Sequence, residues 1–167
     1  MGVEEGGRRG GIPVRADSAG SVWVSTERGS HLRGRRVRDT KPEVMLRSAL
    51  HALGLRFRLN RILAGRYRPD LTFPGPRVAV FVDGCFWHGC PRHGASRFRG
   101  PNAALWEAKI AANKDRDVRA NAALAETGWR VVRVWECEVK ADVQQAACRV
   151  DALVRRAGSA PDGAPAD

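Results

Sequence analysis

No apolar run in the chain approaches the roughly 20 residues that a membrane-spanning helix needs, which argues against a transmembrane protein. Nor does an apolar stretch follow the arginine pair Arg8-Arg9, as it would in a secretory signal. Acidic side chains are scarce beside basic ones: 18 Asp and Glu stand against 29 Lys and Arg, a formal net charge of +11. Only four cysteines are present, and there is no internal repeat. A cytosolic location is expected, close to the nucleoid, and there thiols serve metals or catalysis rather than disulfides. The positive excess fits a polyanionic partner, most simply nucleic acid, although Arg-rich composition also follows from genomic base bias. A length of 167 residues suits one domain with loose ends, and a hydrophobic fraction of 43% suffices for a core.

Residues 1–24 are rich in Gly and charge and lack periodicity, which predicts a flexible N-terminal extension. Residues 157–167, rich in Ala, Gly, Pro and Asp, predict a disordered tail, leaving 25–156 as the folded domain. Within it, Thr40-Lys41-Pro42-Glu43 has the form of a capping box. The following helix puts Leu46, Ala49, Leu50 and Leu53 on one face and stops at Gly54. Alternation in Leu55-Arg56-Phe57-Arg58-Leu59 predicts a half-buried strand, and residues 70–73 a second short one. Val78-Ala79-Val80-Phe81-Val82 reads as a strand buried on both faces. A long helix capped by Asn102 should run to about Thr127, a buried strand from Trp129 to Trp135, and a last helix over about 141–156. Cys148, inside that helix, is expected in the core. Strands interleaved with helices predict an α/β sandwich around a small mixed sheet.

Several groups of residues carry chemistry. Asp70 begins one strand and Asp83 ends its neighbour, so their carboxylates can converge on a hard cation such as Mg²⁺. As isolated residues, both are also ordinary turn formers. Cys85, Cys90, His93 and Cys137 supply three thiolates and an imidazole, a closed set suited to structural zinc. His88 is an alternative ligand, but Cys90-x-x-His93 has ordinary ligand spacing, which leaves His88 for general-base work. His31 and His51 read as surface residues. Phe86-Trp87, exposed, would form a wedge able to unstack a weakened base step; either ring alone is equally at home in a core. Lys109 and Asn113, four apart on the long helix, share a face and can read base edges, or form a plain solvated face.

Together these residues resemble the very-short-patch repair (Vsr) endonucleases over residues 33–140. The landmarks are Thr40-Lys41-Pro42-Glu43, Arg68-Pro69-Asp70, Phe81-Val82-Asp83-Gly84-Cys85-Phe86-Trp87-His88, Trp106-x-x-Lys109-Ile110-x-x-Asn113, and Gly128-Trp129-Arg130-Val131 leading to Val134-Trp135-Glu136-Cys137. The string Gly-Cys-Phe-Trp-His is highly specific. The resemblance implies a restriction-endonuclease-like fold with structural zinc, and Mg²⁺-dependent nicking of duplex DNA 5′ of the thymine in T·G mismatches left by deamination of 5-methylcytosine. It implies that Asp70 is the principal Mg²⁺ ligand with the backbone carbonyl of Val82 beside it. Glu43 orients water on that metal, and His88 activates the attacking water. Phe86 and Trp87 intercalate, and Lys109 and Asn113 contact the mismatched pair. The expected partner is T·G-containing double-stranded DNA; mismatch-repair proteins are candidate partners, and a monomer is expected.

The chain departs from the family pattern in places. Well-known members carry His where this chain has Asp83, which therefore becomes a candidate metal ligand. The lysine of the wider nuclease superfamily is absent at Cys85. A Met wedge in the N-terminal arm becomes Leu32, still apolar, and the zinc loop reads Gly89-Cys90-Pro91-Arg92-His93 rather than a His-rich run. Alternative readings are a sequence-specific restriction-type nuclease on the same scaffold and a non-catalytic zinc-bound DNA-binding module. A zinc hydrolase needs an open coordination position, which a Cys₃His set lacks.

Overall fold

The computed structural model describes residues 14–16, 22–24, 38–93 and 98–159. They fall into two compact units, a smaller one containing the first two strands with residues 98–108, and a larger one containing 38–93 with 109–159. In the smaller unit, β1 (Val14–Ala16) pairs antiparallel with β2 (Val22–Val24). These strands lie inside the stretch expected to be a flexible extension. The Asn102 side-chain amide closes the edge of β2, accepting from the Val24 N–H at 2.9 Å and donating to its carbonyl at 2.7 Å. Asn102 was expected to cap the long helix, and instead its side chain is committed to a strand. Trp106 packs edge-on to Trp23 and stacks on Phe98.

The larger unit is built on a three-stranded mixed sheet in the order β3-β4-β5. β3 (Leu71–Phe73) runs antiparallel to β4 (Val78–Asp83), and β4 runs parallel to β5 (Arg130–Trp135). Side chains of a strand alternate between faces, so β4 and β5 each feed two cores. On one face Leu71, Phe73, Val78, Val80, Val132 and Val134 pack with Leu46 and Leu50 of α1 (Lys41–Ala52) and with Val139, Ala147 and Val150. The last three belong to α3 (Glu136–Ala141) and α4 (Val143–Ser159). On the other face Ala79 packs with Leu63 and with Leu124 of α2 (Ala103–Glu126), flanked by Phe81 and Val131. The expected restriction-endonuclease-like sandwich is present.

Four local expectations are corrected. Residues 55–59 form no strand; a single bridge joins Arg58 to Thr72, too little pairing to extend the sheet. The capping box is not formed in its usual way, because the Thr40 hydroxyl donates to the Glu43 carboxylate rather than accepting from the backbone. The final helix, α4, starts within two residues of its expected position, where the Asp142 carboxylate accepts from the Gln145 N–H, but it continues to Ser159, into the expected tail; α3 before it is a separate short helix that the pattern did not predict. Cys148 is exposed on α4 rather than buried, because Ala146, Ala147, Val150 and Val154 form the inward face. No helix among the described residues is long and apolar enough to cross a membrane.

Candidate functional site

The C-terminal end of the β4 strand, where β5 runs parallel beside it, opens into a pocket of about 360 Å³. Asp70, Glu43, Val82, Asp83 and His88 all line it, so the expected acidic residues and the histidine meet in one place. Asp70 precedes β3, and its Oδ2 accepts from the Val82 N–H at 2.7 Å, a bond that ties the start of one strand to the end of the next. Burial, helped by the negative charges of Glu43 and Asp83 and opposed by the Val82 N–H and Arg47, pushes the Asp70 carboxyl up to about 6. A buried carboxylate among other carboxylates is relieved by a bound cation, so the donor set fits a hard divalent metal.

Glu43 is 4% exposed, yet its carboxylate is fully engaged. Its Oε1 accepts from the Thr40 hydroxyl at 2.7 Å, and its Oε2 accepts from the Asp39 N–H at 2.9 Å and Arg47 Nη2 at 3.0 Å. Arg47 also pairs with Asp39. The helix N-terminus thus presents a rigid carboxylate to the pocket.

Sequence reasoning missed the two pocket residues that bond directly to His88 and Asp83. Asp117 on α2 accepts from His88 Nδ1 at 2.6 Å. A carboxylate only accepts, so the proton sits on Nδ1 and Nε2 is left as the acceptor. Arg133 on β5 joins both acids: its Nη1 reaches the two oxygens of Asp83 at 2.8 and 2.7 Å, and its Nη2 lies 3.2 Å from Asp117 Oδ1. Its Nε donates to Asn121 at 3.2 Å, and the guanidinium lies 4.8 Å from the Phe81 ring centroid. Asp83, with 3% exposure, therefore has both oxygens on a cation that the chain itself supplies. Both missed residues had a signal. Lys109, Asn113, Asp117 and Asn121 continue one i,i+4 series along α2, and Arg133 is a cation in the middle of the apolar β5 run.

The loop after β4 carries the aromatic pair. Phe86 and Trp87 are both half-buried and meet edge to face at 5.0 Å. Asn113 donates to the Trp87 carbonyl at 2.8 Å, so its amide fixes this loop to α2, while Lys109 is exposed one turn earlier. Gly84 leaves room that Trp87 uses: a Cβ there would lie 3.3 Å from the indole. Gly89 has a φ of +62°, and a Cβ there would overlap the Lys114 side chain at 2.4 Å. Leu32 and His31 lie outside the described residues. His51 is exposed and stacks on Phe57.

The same loop brings Cys85, Cys90 and His93 to Cys137 at the start of α3, with their donor atoms all within 4.8 Å of one another. Burial and the neighbouring thiols push Cys85 up to about 12. Burial acts against ionisation at Cys90 too, but the N–H groups of Arg92 and His93 overcome it and bring that thiol down to about 7. A tetrahedron with Zn–S bonds of about 2.3 Å spaces its sulfurs about 3.8 Å apart. Cys90 Sγ and Cys137 Sγ are 3.8 Å apart, and His93 Nδ1 lies 3.9 Å from Cys90 Sγ and 4.0 Å from Cys85 Sγ. The cluster fits zinc.

A mixed sheet between helices, with acids and a histidine at its strand ends and a Cys₃His clamp beside them, defines an endonuclease-type sandwich. Its architecture resembles the catalytic domain of the homing endonuclease I-Bth0305I, with a TM-score of 0.50 and 16% identity over 72% of this chain and all of that one. The family model for the DNA mismatch endonuclease Vsr matches residues 21–93. The chain is 39% identical to the DNA mismatch endonuclease Vsr of Escherichia coli, covering 71% of this chain and 75% of that protein. It is 48% identical to the type II nicking enzyme V.XorIIP of Xanthomonas oryzae pv. oryzae, over 70% and 85%. It is 40% identical to the type II nicking enzyme V.NaeI of Lentzea aerocolonigenes, over 78% and 81%. This chain belongs to the Vsr family of DNA endonucleases.

Proposed function

We propose that the protein nicks duplex DNA on the 5′ side of the thymine in T·G mismatches and so begins very short patch repair of deaminated 5-methylcytosine. The observation that carries this reading is the 2.6 Å bond between His88 Nδ1 and Asp117 in the pocket that also holds Asp70 and Glu43. Asp70 and the Val82 carbonyl are assigned to hold Mg²⁺. That ion, when bound, polarises the phosphate and stabilises the leaving oxygen. His88 Nε2 takes the proton of the attacking water, and Asp117 steadies the imidazolium that results. Glu43 orients the same water from the N-terminus of α1. Asp83 is a ligand only if its pair with Arg133 opens; closed, the pair holds Asp117 in place for His88.

Phe86 and Trp87 are assigned to enter the stack at the weakened step, where a wobble pair opens at less cost than a matched one. Leu32 is assigned to assist from the N-terminal arm. Lys109 contacts the mismatched pair, and Asn113 does so through the loop it fixes. Zinc on Cys85, Cys90, His93 and Cys137 keeps the aromatic loop rigid.

A second reading, nicking at a particular sequence in matched DNA, is favoured by the names of the relatives V.NaeI and V.XorIIP, which are called type II nicking enzymes. One assay separates the two: duplexes carrying every mismatch, and matched controls, in randomised flanks with and without Mg²⁺. Nicks confined to T·G duplexes support the first reading. Equal cutting of a matched sequence replaces it with the second.

A further inference from the structure

We propose that the groove between the free edge of β5 and α4 is a second DNA-backbone site, which binds phosphates on one flank of the nick. This rests on the assignment of duplex DNA as the substrate. The groove has a volume of about 450 Å³ and is lined by Arg130, Arg133, Arg149 and Arg156 over a floor that includes Val131 and Leu153. No acidic side chain lines it.

Its shape follows from two elements side by side. Among the described residues β5 is the outer strand of its sheet. Arg130 stands on the strand face that also carries Val132, while Arg133, three residues on, turns its side chain to the opposite face and into the catalytic pocket. On α4, Arg149, Leu153 and Arg156 fall at i, i+4 and i+7 and share a face; seven residues span about 10 Å. Arg130 from the strand and Arg149 and Arg156 from the helix therefore flank one trough. Strand phosphates advance about 3.4 Å along the duplex axis per nucleotide, so the trough matches about three of them.

The arginines differ in what they already hold. Arg133 is paired with Asp83 and Asp117, and Arg149 with Glu138 at 2.9 Å. Arg149 also donates to the Arg133 carbonyl at 3.1 Å, which closes one hydrogen-bonding position on the strand edge. Among the described residues no carboxylate pairs with Arg130 or Arg156, and both are exposed. These two are the cations available to an incoming anion. Continuity points to DNA as that anion, because Arg133 lines this groove and the catalytic pocket alike.

The experiment compares the full-length protein with the Arg130→Ala/Arg156→Ala double variant in equilibrium binding to a T·G duplex across a salt series. Each phosphate contact adds about 0.9 to the slope of log affinity against log salt, so the double variant should lose about 1.8. Phosphates carry no sequence information, so the preference for T·G over matched duplex should stay the same. The nicking rate at saturating DNA should stay within twofold. Arg130→Lys/Arg156→Lys should restore the slope, which separates lost charge from lost packing. Shortening the duplex from one end should abolish the difference between wild type and double variant, and shortening the other end should not. An unchanged slope in a double variant with wild-type melting temperature overturns the proposal. So does binding of a poly-glutamate peptide that the variant loses while its DNA slope stays the same, because the groove would then serve an acidic protein. The salt slope is measurable without Mg²⁺ and on matched DNA, so a failure of T·G nicking leaves this test intact.

Discussion

Asp70 is held in an environment that works against its own charge. Its carboxyl titrates near 6 in the folded chain and near 3.8 as a free side chain. The native state therefore binds more protons between those values, and stability falls as pH rises through that window. Above about pH 6 the full cost is present, on the order of 3 kcal/mol. Asp70→Asn should raise the unfolding midpoint at pH 8 in the absence of divalent cations, and the gain should vanish below about pH 4. The same variant should bind a T·G duplex but lose nicking by at least about a hundredfold. Mg²⁺ should stabilise the wild type more at pH 8 than at pH 5, which thermal melts at the two pH values can measure. Unchanged nicking by Asp70→Asn would remove the metal assignment.

Asp117 makes a complementary prediction. Its carboxylate fixes the His88 tautomer, and an amide in its place can present a donor to Nδ1 instead. Asp117→Asn should lower the nicking rate at saturating DNA by about a hundredfold or more while leaving DNA affinity close to wild type. An unaltered rate would detach His88 from the chemistry.

At the scale of elements, the loop from Gly84 to His93 has no regular structure of its own and is held from two sides. Asn113 ties it to α2, and the Cys₃His cluster ties it to α3. Asn113→Ala removes one hydrogen bond, about 1 kcal/mol, and should weaken the preference for mismatched over matched duplex in competition binding. Cys137→Ser should abolish stoichiometric zinc in the purified protein and lower its melting temperature by several degrees. Full zinc content in that variant would exclude Cys137 as a ligand.

The elements also show what was legible beforehand. α1, β4 and β5 stand where the apolar pattern put them, because each contributes a buried face, and α2 stops before Gly128 as expected although only Ile110, Ala120 and Leu124 of it are buried. Residues 55–59 have the alternation of a strand without a neighbour to pair along them, and pattern cannot supply a neighbour. β1 and β2 are three residues each, too short for any period to register. α3, six residues long, is too short for a helical period to register.

For the whole molecule the dominant quantity is the charge of +11, which sets a long-range attraction to DNA whatever its sequence. Under the proposed function, discrimination then falls to the pocket and the loop. Wild-type affinity for matched duplex should therefore fall steeply with salt, while the ratio of T·G to matched affinity should change much less. A ratio that collapses in step with affinity would mean that the charged surface itself reads the mismatch.

The sequence alone determined which groups this protein has available to hold a metal. Cysteine and histidine spacing, two carboxylates at strand ends and a Phe-Trp pair are local facts, written in order along the chain. Tertiary structure alone decided which groups act on one another. Asp117 and Arg133 reach His88 and Asp83 across separations of 29 and 50 residues, and their partners are set by how α2 and β5 pack on β4. Hydrogen bonds and ion pairs are short-ranged, and distance along the chain says nothing of distance in space until the core has formed.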